Sequence, residues 1–192
     1  MGAPMRYRVH LLTALFVATV GVVGIPVAAV AQQNAPTAAA QKQSPTPHSL
    51  LAEHITVQGR LNELAREPGA VGTTAKKILA VMVPHDKREE EFVFPLLGLV
   101  DDLAAGKAGP DMAWALAMSD RVKAEQKQLY TEHSAIIAAV NELAAAARDR
   151  HDANLEAFAE EVAASEVNDG EVEYPTAILV GMYLRTQLKV AK

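Results

Sequence analysis

The sequence predicts an all-α protein, an antiparallel up-down four-helix bundle built from two duplicated helical hairpins. Three observations support this prediction. Ala is very frequent, aromatic residues make up only 5% of the 192 residues, and the β-branched or aromatic runs typical of strands are rare. Apolar residues recur at helical spacing over four long segments. Two parts of the chain also carry the same polar motif at the same spacing.

The N-terminus is predicted to direct export. Residues 1–31 have the features of a secretory signal peptide: Arg6 and Arg8 at the start, an apolar stretch, and the cleavage site Ala29-Val30-Ala31. An uncleaved membrane anchor is the alternative interpretation. Residues 32–48 are rich in Gln, Ala, Pro, Ser and Thr, which predicts a disordered linker. We expect an exported protein, periplasmic or extracellular, with no membrane span after signal cleavage.

The composition argues against several classes of protein. There is no cysteine, so disulfides, thiolate metal sites, iron–sulfur clusters and a cysteine nucleophile are excluded. The net charge of -5 is mild, and no basic patch with interleaved aromatic residues is present. Nucleic-acid binding is therefore not expected. The sequence identifies no protein partner.

The bundle is predicted to occupy residues 49–190, beginning with a helix that ends at Glu67-Pro68-Gly69. The second helix is predicted to begin at the threonine pair 73–74 and to run toward Leu103. Two prolines fall inside it, and each removes a helical hydrogen bond, so the helix is expected to kink or divide there. These prolines are Pro84 and Pro95.

The second hairpin is predicted to open at Pro110-Asp111 with a long helix that ends near Arg148. A fourth helix is expected over roughly Asp152–Val167. The sequence Asn168-Asp169-Gly170 then predicts a turn or a local distortion of the helix. Tyr174–Val190 is predicted to form the last helical segment.

An internal repeat relates the two hairpins. Glu-His and a following Asn-Glu-Leu recur at an offset of 79 residues, and an aromatic-Pro pair recurs at an offset of 80. The repeated pairs are Glu53-His54 with Glu132-His133, Asn62-Glu63-Leu64 with Asn141-Glu142-Leu143, and Phe94-Pro95 with Tyr174-Pro175. Equivalent positions of duplicated hairpins converge on the bundle interior, so His54 and His133 are predicted to face each other.

His85 and Glu89 provide the strongest indication of chemistry. They are four residues apart, which places an imidazole and a carboxylate on one helix face, and the apolar run Phe92–Leu97 follows. Such a pair alone is more often a surface pair or a helix cap. Together with His54 and His133 on the apolar faces of other helices, it predicts a transition-metal site.

These motifs resemble the hemerythrin-like, HHE-type cation-binding family. The residues that carry the resemblance are Glu53-His54, His85 and Glu89 followed by Phe94-Pro95-Leu96, Glu132-His133, and the weaker Tyr174-Pro175. The resemblance covers about Ser49–Leu184 and implies a four-helix bundle with a non-haem iron site. Its second half departs from the family pattern.

In that second half, Ser165 stands where the first half has His85, and a serine does not replace imidazole as a ligand. Asp169 matches Glu89 and remains a carboxylate ligand. Glu166 lies one position over and would serve only if the helix were locally rewound. Ile137 stands where the oxygen carriers of the family have a further histidine. The ligand set that the resemblance implies is His54, His85, Glu89, His133 and Asp169.

This ligand set suits iron, in a mononuclear or dinuclear site, and also Mn or Zn. The leading hypothesis is an exported metal-binding protein that binds or senses dioxygen or nitric oxide, or handles iron; catalysis is not its expected role. The alternatives are a helical structural or interaction module with a decayed site, and a metal-dependent oxidoreductase or hydrolase. We expect Glu53 and Glu132 to support or surround the ligands. We expect Tyr130 and Tyr174 to pack rather than to enter the site.

Overall fold

A computed structural model describes residues 46–190. The predicted signal peptide and nearly all of the predicted linker lie outside this range. The described residues are all-helical, without a strand, so the predicted all-α class is confirmed. None of the helices in this part of the chain combines the length and the apolarity needed to cross a membrane.

Most of residues 46–190 lie in four long helical segments, two of which contain a π turn. The α-helices are α1 (His48–Leu64), α2 (Gly69–Arg88), α3 (Phe94–Leu97), α4 (Val100–Ala104), α5 (Trp114–Asp149), α6 (Ala153–Asn168) and α7 (Tyr174–Leu188). The first π turn (Glu89–Val93) joins α2 to α3, and the second π turn (Asp169–Glu173) joins α6 to α7. A short 3-10 turn at Pro110–Met112 precedes α5.

Each π turn ends two residues before a proline. Pro95 and Pro175 are the second residues of α3 and α7. Because proline has no N–H, the regular hydrogen-bond ladder cannot pass through it, and a π turn accommodates the change in register. The distortion predicted at Asn168-Asp169-Gly170 is confirmed as the start of the second π turn. Pro84, by contrast, lies inside α2 without dividing it.

The start of α2 differs from the prediction. The helix begins at Gly69, directly after Pro68, and not at the threonine pair. Thr73 donates its hydroxyl to the Gly69 carbonyl at 3.0 Å, so it bonds within the helix instead of capping it. A Cβ on Gly72 would lie 1.9 Å from the carbonyl oxygen of Glu67. The α1–α2 connection is therefore so tight that only glycine fits there.

Helix α5 is the central element of the bundle. It packs against α2, α6 and α7, while α1 packs mainly against α2. The helix begins at Trp114 rather than at the predicted Pro110. Asp152 then caps α6, because its side chain accepts a hydrogen bond from the Leu155 N–H at 3.0 Å.

Two apolar clusters fill the interior. The largest members of the first cluster are Leu61, Ile78, Met82, Ile136, Leu143 and Leu155. The largest members of the second cluster are Phe92, Phe94, Leu96, Leu129, Tyr174 and Leu184. Along α1 the chain passes from the second cluster to the first, and along α2–α3 it returns to the second. Along α5 it passes again from the second cluster to the first, and along α6–α7 it returns. Buried polar residues occupy the level between the two clusters.

The contact between α5 and α7 gives a testable prediction. A Cβ on Gly181 would lie 2.1 Å from Oγ and 2.3 Å from Cβ of the buried Ser119. Replacing Gly181 by Ala is expected to lower the free energy of unfolding by about 1–2 kcal/mol in a urea titration, because overpacking outweighs the helix propensity of Ala. Gly59 in α1 has open space around it, so Gly59→Ala should stabilise by about 0.5–1 kcal/mol. Equal responses at the two positions would contradict the close approach.

Candidate metal centre

The buried polar level is organised around Glu89, whose side chain is 1% exposed. Three imidazoles direct Nε2 toward its carboxylate. Nε2 of His85 and of His133 lie 3.3 Å and 3.5 Å from Oε1. Nε2 of His54 lies 3.4 Å from Oε2. The structure thus brings together four of the five predicted site residues, from α1, α2, α5 and the first π turn.

The other ring nitrogen of each histidine, Nδ1, contacts a second carboxylate on its outer side. The pairs are His54 with Glu90 at 3.1 Å, His85 with Glu132 at 2.9 Å, and His133 with Glu166 at 2.7 Å. A carboxylate that accepts from Nδ1–H fixes the ring and leaves Nε2 directed at the centre. Histidines that ligate metals are usually held in this way.

Asp169, the fifth predicted ligand, lies in the second π turn at the edge of the cluster. One of its carboxylate oxygens is within 4.8 Å of ligand atoms of Glu89 and His133. Burial and the charge of Glu89 raise the pKa of Asp169 to about 9. In the absence of a cation, this carboxyl group therefore holds its proton at neutral pH.

Glu166 contacts a candidate ligand directly, whereas Ser165 lines the cavity beside the cluster and bonds to Glu53. Glu166 is buried in the last turn of α6 against His133, and Ser165 donates its hydroxyl to Glu53 of α1. Glu166 and Ser165 lie three and four residues before Asp169, so on a helix they lie on either side of the face that carries Asp169. The second π turn begins at Asp169, directly after α6. The i,i+3 spacing of Glu166 and Asp169 is the sequence signal that identifies this residue.

Tyr174 also enters the site, so the expectation that it only packs was wrong. Its hydroxyl donates to Oε1 of Glu89 at 2.5 Å, contacts Nε2 of His133, and lies 3.4 Å from Nε2 of His85. The Tyr174 side chain is fully buried. Tyr130 stays outside the centre, because its hydroxyl donates to the Gly170 carbonyl at 2.8 Å.

The histidines and carboxylates of the cluster favour each other's charged forms, and this changes their pKa values. Burial alone would lower the histidine pKa values, but hydrogen bonds to Glu89 and neighbouring carboxylates raise the pKa of His54 to about 9. Hydrogen bonds to Glu166 and Glu89 likewise raise the pKa of His133 to about 10. Burial would raise the pKa of Glu89, but its three histidine partners hold it well below the usual range. Protonated imidazoles thus surround an ionised carboxylate at neutral pH.

One further buried carboxyl group lies close to this cluster. Burial raises the pKa of Glu173 to about 7, and the charge of Glu89 acts in the same direction. Its Oε2 has no hydrogen-bond partner among residues 46–190. An unpaired buried oxygen of this kind is a group that a bound ion or water would satisfy.

A small cavity of about 20 Å³ adjoins the cluster, with His54, Asp86, Glu166 and Asp169 in its wall. This volume is enough for one water molecule or one ion. A groove of about 420 Å³ lies next to it between α1 and α6. The two share Glu53, Val57 and Val162, so the groove adjoins the cavity beside the cluster.

The fold and the cluster together define a helical protein with a buried histidine–carboxylate centre. No family model, curated protein or solved structure matches this chain. The function is therefore inferred from the residues of the chain itself.

Proposed function

We propose that this protein is an exported, hemerythrin-like metal-binding bundle that holds non-haem iron in its core and binds or senses a small ligand such as dioxygen or nitric oxide, or handles iron. One observation supports this most directly. Three imidazole Nε2 atoms meet at one buried carboxylate, and each Nδ1 contacts a further carboxylate. A purely structural core has no need for three such oriented rings, because buried polar groups are costly.

The residues present fit a metal ion. Imidazole nitrogens and carboxylate oxygens suit iron, and they also suit Mn or Zn. Both oxygens of Glu89 have histidine neighbours, Oε1 with His85 and His133 and Oε2 with His54. These residues would hold one ion or two, with Asp169 as a further carboxylate ligand. Iron bound there would supply one-electron redox chemistry and an open position for a diatomic ligand.

The surrounding residues orient the ligands and exclude water. Glu132 holds His85 and is itself held by Arg88 and by Gln128, whose amide donates at 3.1 Å. Glu166 holds His133 in the same way. The apolar clusters on either side keep bulk solvent out, and this low-dielectric environment strengthens ion–ligand attraction. A small ligand would reach the centre along the groove between α1 and α6.

The order of the two apolar clusters along the chain supports the proposed topology. It reverses from one long segment to the next, as expected when consecutive helices of a bundle are antiparallel. The two π turns begin 80 residues apart, at Glu89 and Asp169, and each precedes a proline at the same distance. Both observations favour two hairpins that arose by duplication, with one ligand carboxylate at the start of each π turn.

Metal content is the direct test. We expect the chain, expressed from its full sequence, purified and loaded anaerobically with Fe(II), to retain about one or two iron ions after gel filtration. Replacing both His54 and His133 by Ala should lower the retained iron at least about tenfold, because two of the three converging imidazoles are lost. Elemental analysis measures both values.

A matched control replaces two histidines outside the cluster, with His48→Gln in the exposed start of α1 and His151→Asn between α5 and α6. Asn is chosen because residue 151 has a φ of 54°, a conformation that Asn tolerates. This control should retain iron like the parent. If the parent retains no iron, and also no Mn or Zn, the metal-binding proposal is overturned in favour of the structural module.

A further inference from the structure

We propose that Tyr174 is itself a metal ligand, binding through its phenolate oxygen. This inference rests on the proposed function and assigns one more residue to the centre. The Tyr174 oxygen lies 2.5 Å from Oε1 of Glu89 and 3.4 Å from Nε2 of His85, and it contacts Nε2 of His133. These three are the inward-facing atoms of the candidate ligands, so the phenol oxygen lies where they converge.

The tyrosine ring is held in place from several sides. Tyr174 is the first residue of α7, directly after the second π turn and before Pro175. Its ring packs edge-on against Tyr130, with centroids 5.7 Å apart, and in a tilted arrangement against His133, with centroids 5.2 Å apart. Tyr130 is anchored in turn by its hydrogen bond to the Gly170 carbonyl. The buried ring therefore has no free path to swing out of the centre.

This position leaves three outcomes for a cation that binds His85, His133 and Glu89. Ligand atoms of these types approach a transition metal to about 2.0–2.2 Å. An oxygen already within hydrogen-bond distance of all three ligands then joins the coordination shell, keeps the cation out, or stays beside the ion as a hydrogen-bond donor to Glu89. The oriented histidines and the deeply buried Glu89 favour the first outcome, because an excluded cation would leave this polar cluster without a role.

Ligation requires one proton to leave. The O–H bond that now points at Glu89 breaks, an oxygen–metal bond forms, and the proton passes to solvent, with no change in oxidation state. The phenolate adds a negative charge to the ligand set. An anionic oxygen ligand stabilises Fe(III) more than Fe(II), so Tyr174 would favour the oxidised state of the centre.

The test uses the purified full-sequence protein loaded with Fe(III), together with Tyr174→Phe and the control Tyr183→Phe, which changes an exposed tyrosine of the same helix. Iron content is measured by elemental analysis, phenolate ligation by visible absorption and resonance Raman spectroscopy, and folding by circular dichroism. The parent and Tyr183→Phe should show a phenolate-to-iron charge-transfer band with tyrosinate vibrations. Tyr174→Phe should lose the band, and its iron affinity should fall at least about tenfold.

The outcomes separate this inference from the proposed function. Iron retained by the parent without a tyrosinate signal overturns the ligand role of Tyr174 and leaves the metal-binding proposal intact. Iron bound more tightly by Tyr174→Phe than by the parent also overturns it, because the phenol would then be blocking the centre. A parent that retains no iron overturns both. The parent spectrum decides the question even if Tyr174→Phe does not fold.

Discussion

Replacing Glu89 by Gln is expected to lower metal affinity by more than about 100-fold and to destabilise the metal-free protein by about 3 kcal/mol. The substitution keeps the shape of the side chain and removes the negative charge that two buried imidazoles and one partly buried imidazole share. Without that charge, His54, His85 and His133 must lose their protons or remain buried as uncompensated cations. Metal titration measures the first effect, and urea unfolding of metal-free protein at pH 7 measures the second.

Glu91 provides the matched control for Glu89. It lies in the same first π turn, but its side chain is exposed and contacts Arg121 at 2.6 Å on the surface. Exposed ion pairs contribute little, so Glu91→Gln should change stability by less than about 1 kcal/mol and leave metal affinity unchanged. A Glu89→Gln variant that binds metal like the parent would show that the cluster is not centred on this carboxylate.

Much of the fold could be predicted from the sequence, because helical periodicity and helix breakers are local signals. The limits of α6 match the predicted segment within one residue, and the distortion after Asn168 is present. Helix α1 begins within one residue of the prediction but ends at Leu64, three residues before the predicted stop at Glu67. The start of α2 was less predictable. The threonine pair had the composition of a helix cap, whereas the tight packing that admits only glycine at position 72 depends on tertiary contacts.

Part of the site could also be predicted from the sequence, because helical spacing is a local signal. His85 and Glu89 share a helix face by spacing alone, and the internal repeat placed His54 and His133 beside them. Tyr174 was misjudged, because a tyrosine before a proline gives no local sign of the direction of its hydroxyl. That direction depends on how the second π turn rotates α7 against α5, which only the packed structure reveals.

The stability of the metal-free protein is expected to fall as the pH rises from about 6.5 to about 9.5. His54 and His133 have folded pKa values raised to about 9 and about 10. Their stabilisation is therefore complete below their unfolded pKa of 6.5 and is lost as the pH passes through the folded values. Asp169 acts in the same direction, because it keeps its proton up to a pKa of about 9 while the unfolded chain has released it.

A bound metal ion should reverse part of this dependence. The ion replaces the protons on the histidines, so binding releases protons and strengthens as the pH rises. We expect the Tm of the metal-free protein to fall by at least about 5 °C across this range, since about 1 kcal/mol corresponds to roughly 2–4 °C in a domain of this size. The Tm difference between Zn-loaded and metal-free protein should widen over the same range.

Calorimetry of His54→Gln, His133→Gln protein provides the comparison, because its Tm should vary much less with pH. A metal-free Tm that stays constant in the parent would mean that these imidazoles are already neutral at pH 7, and that metal binding displaces no protons from them.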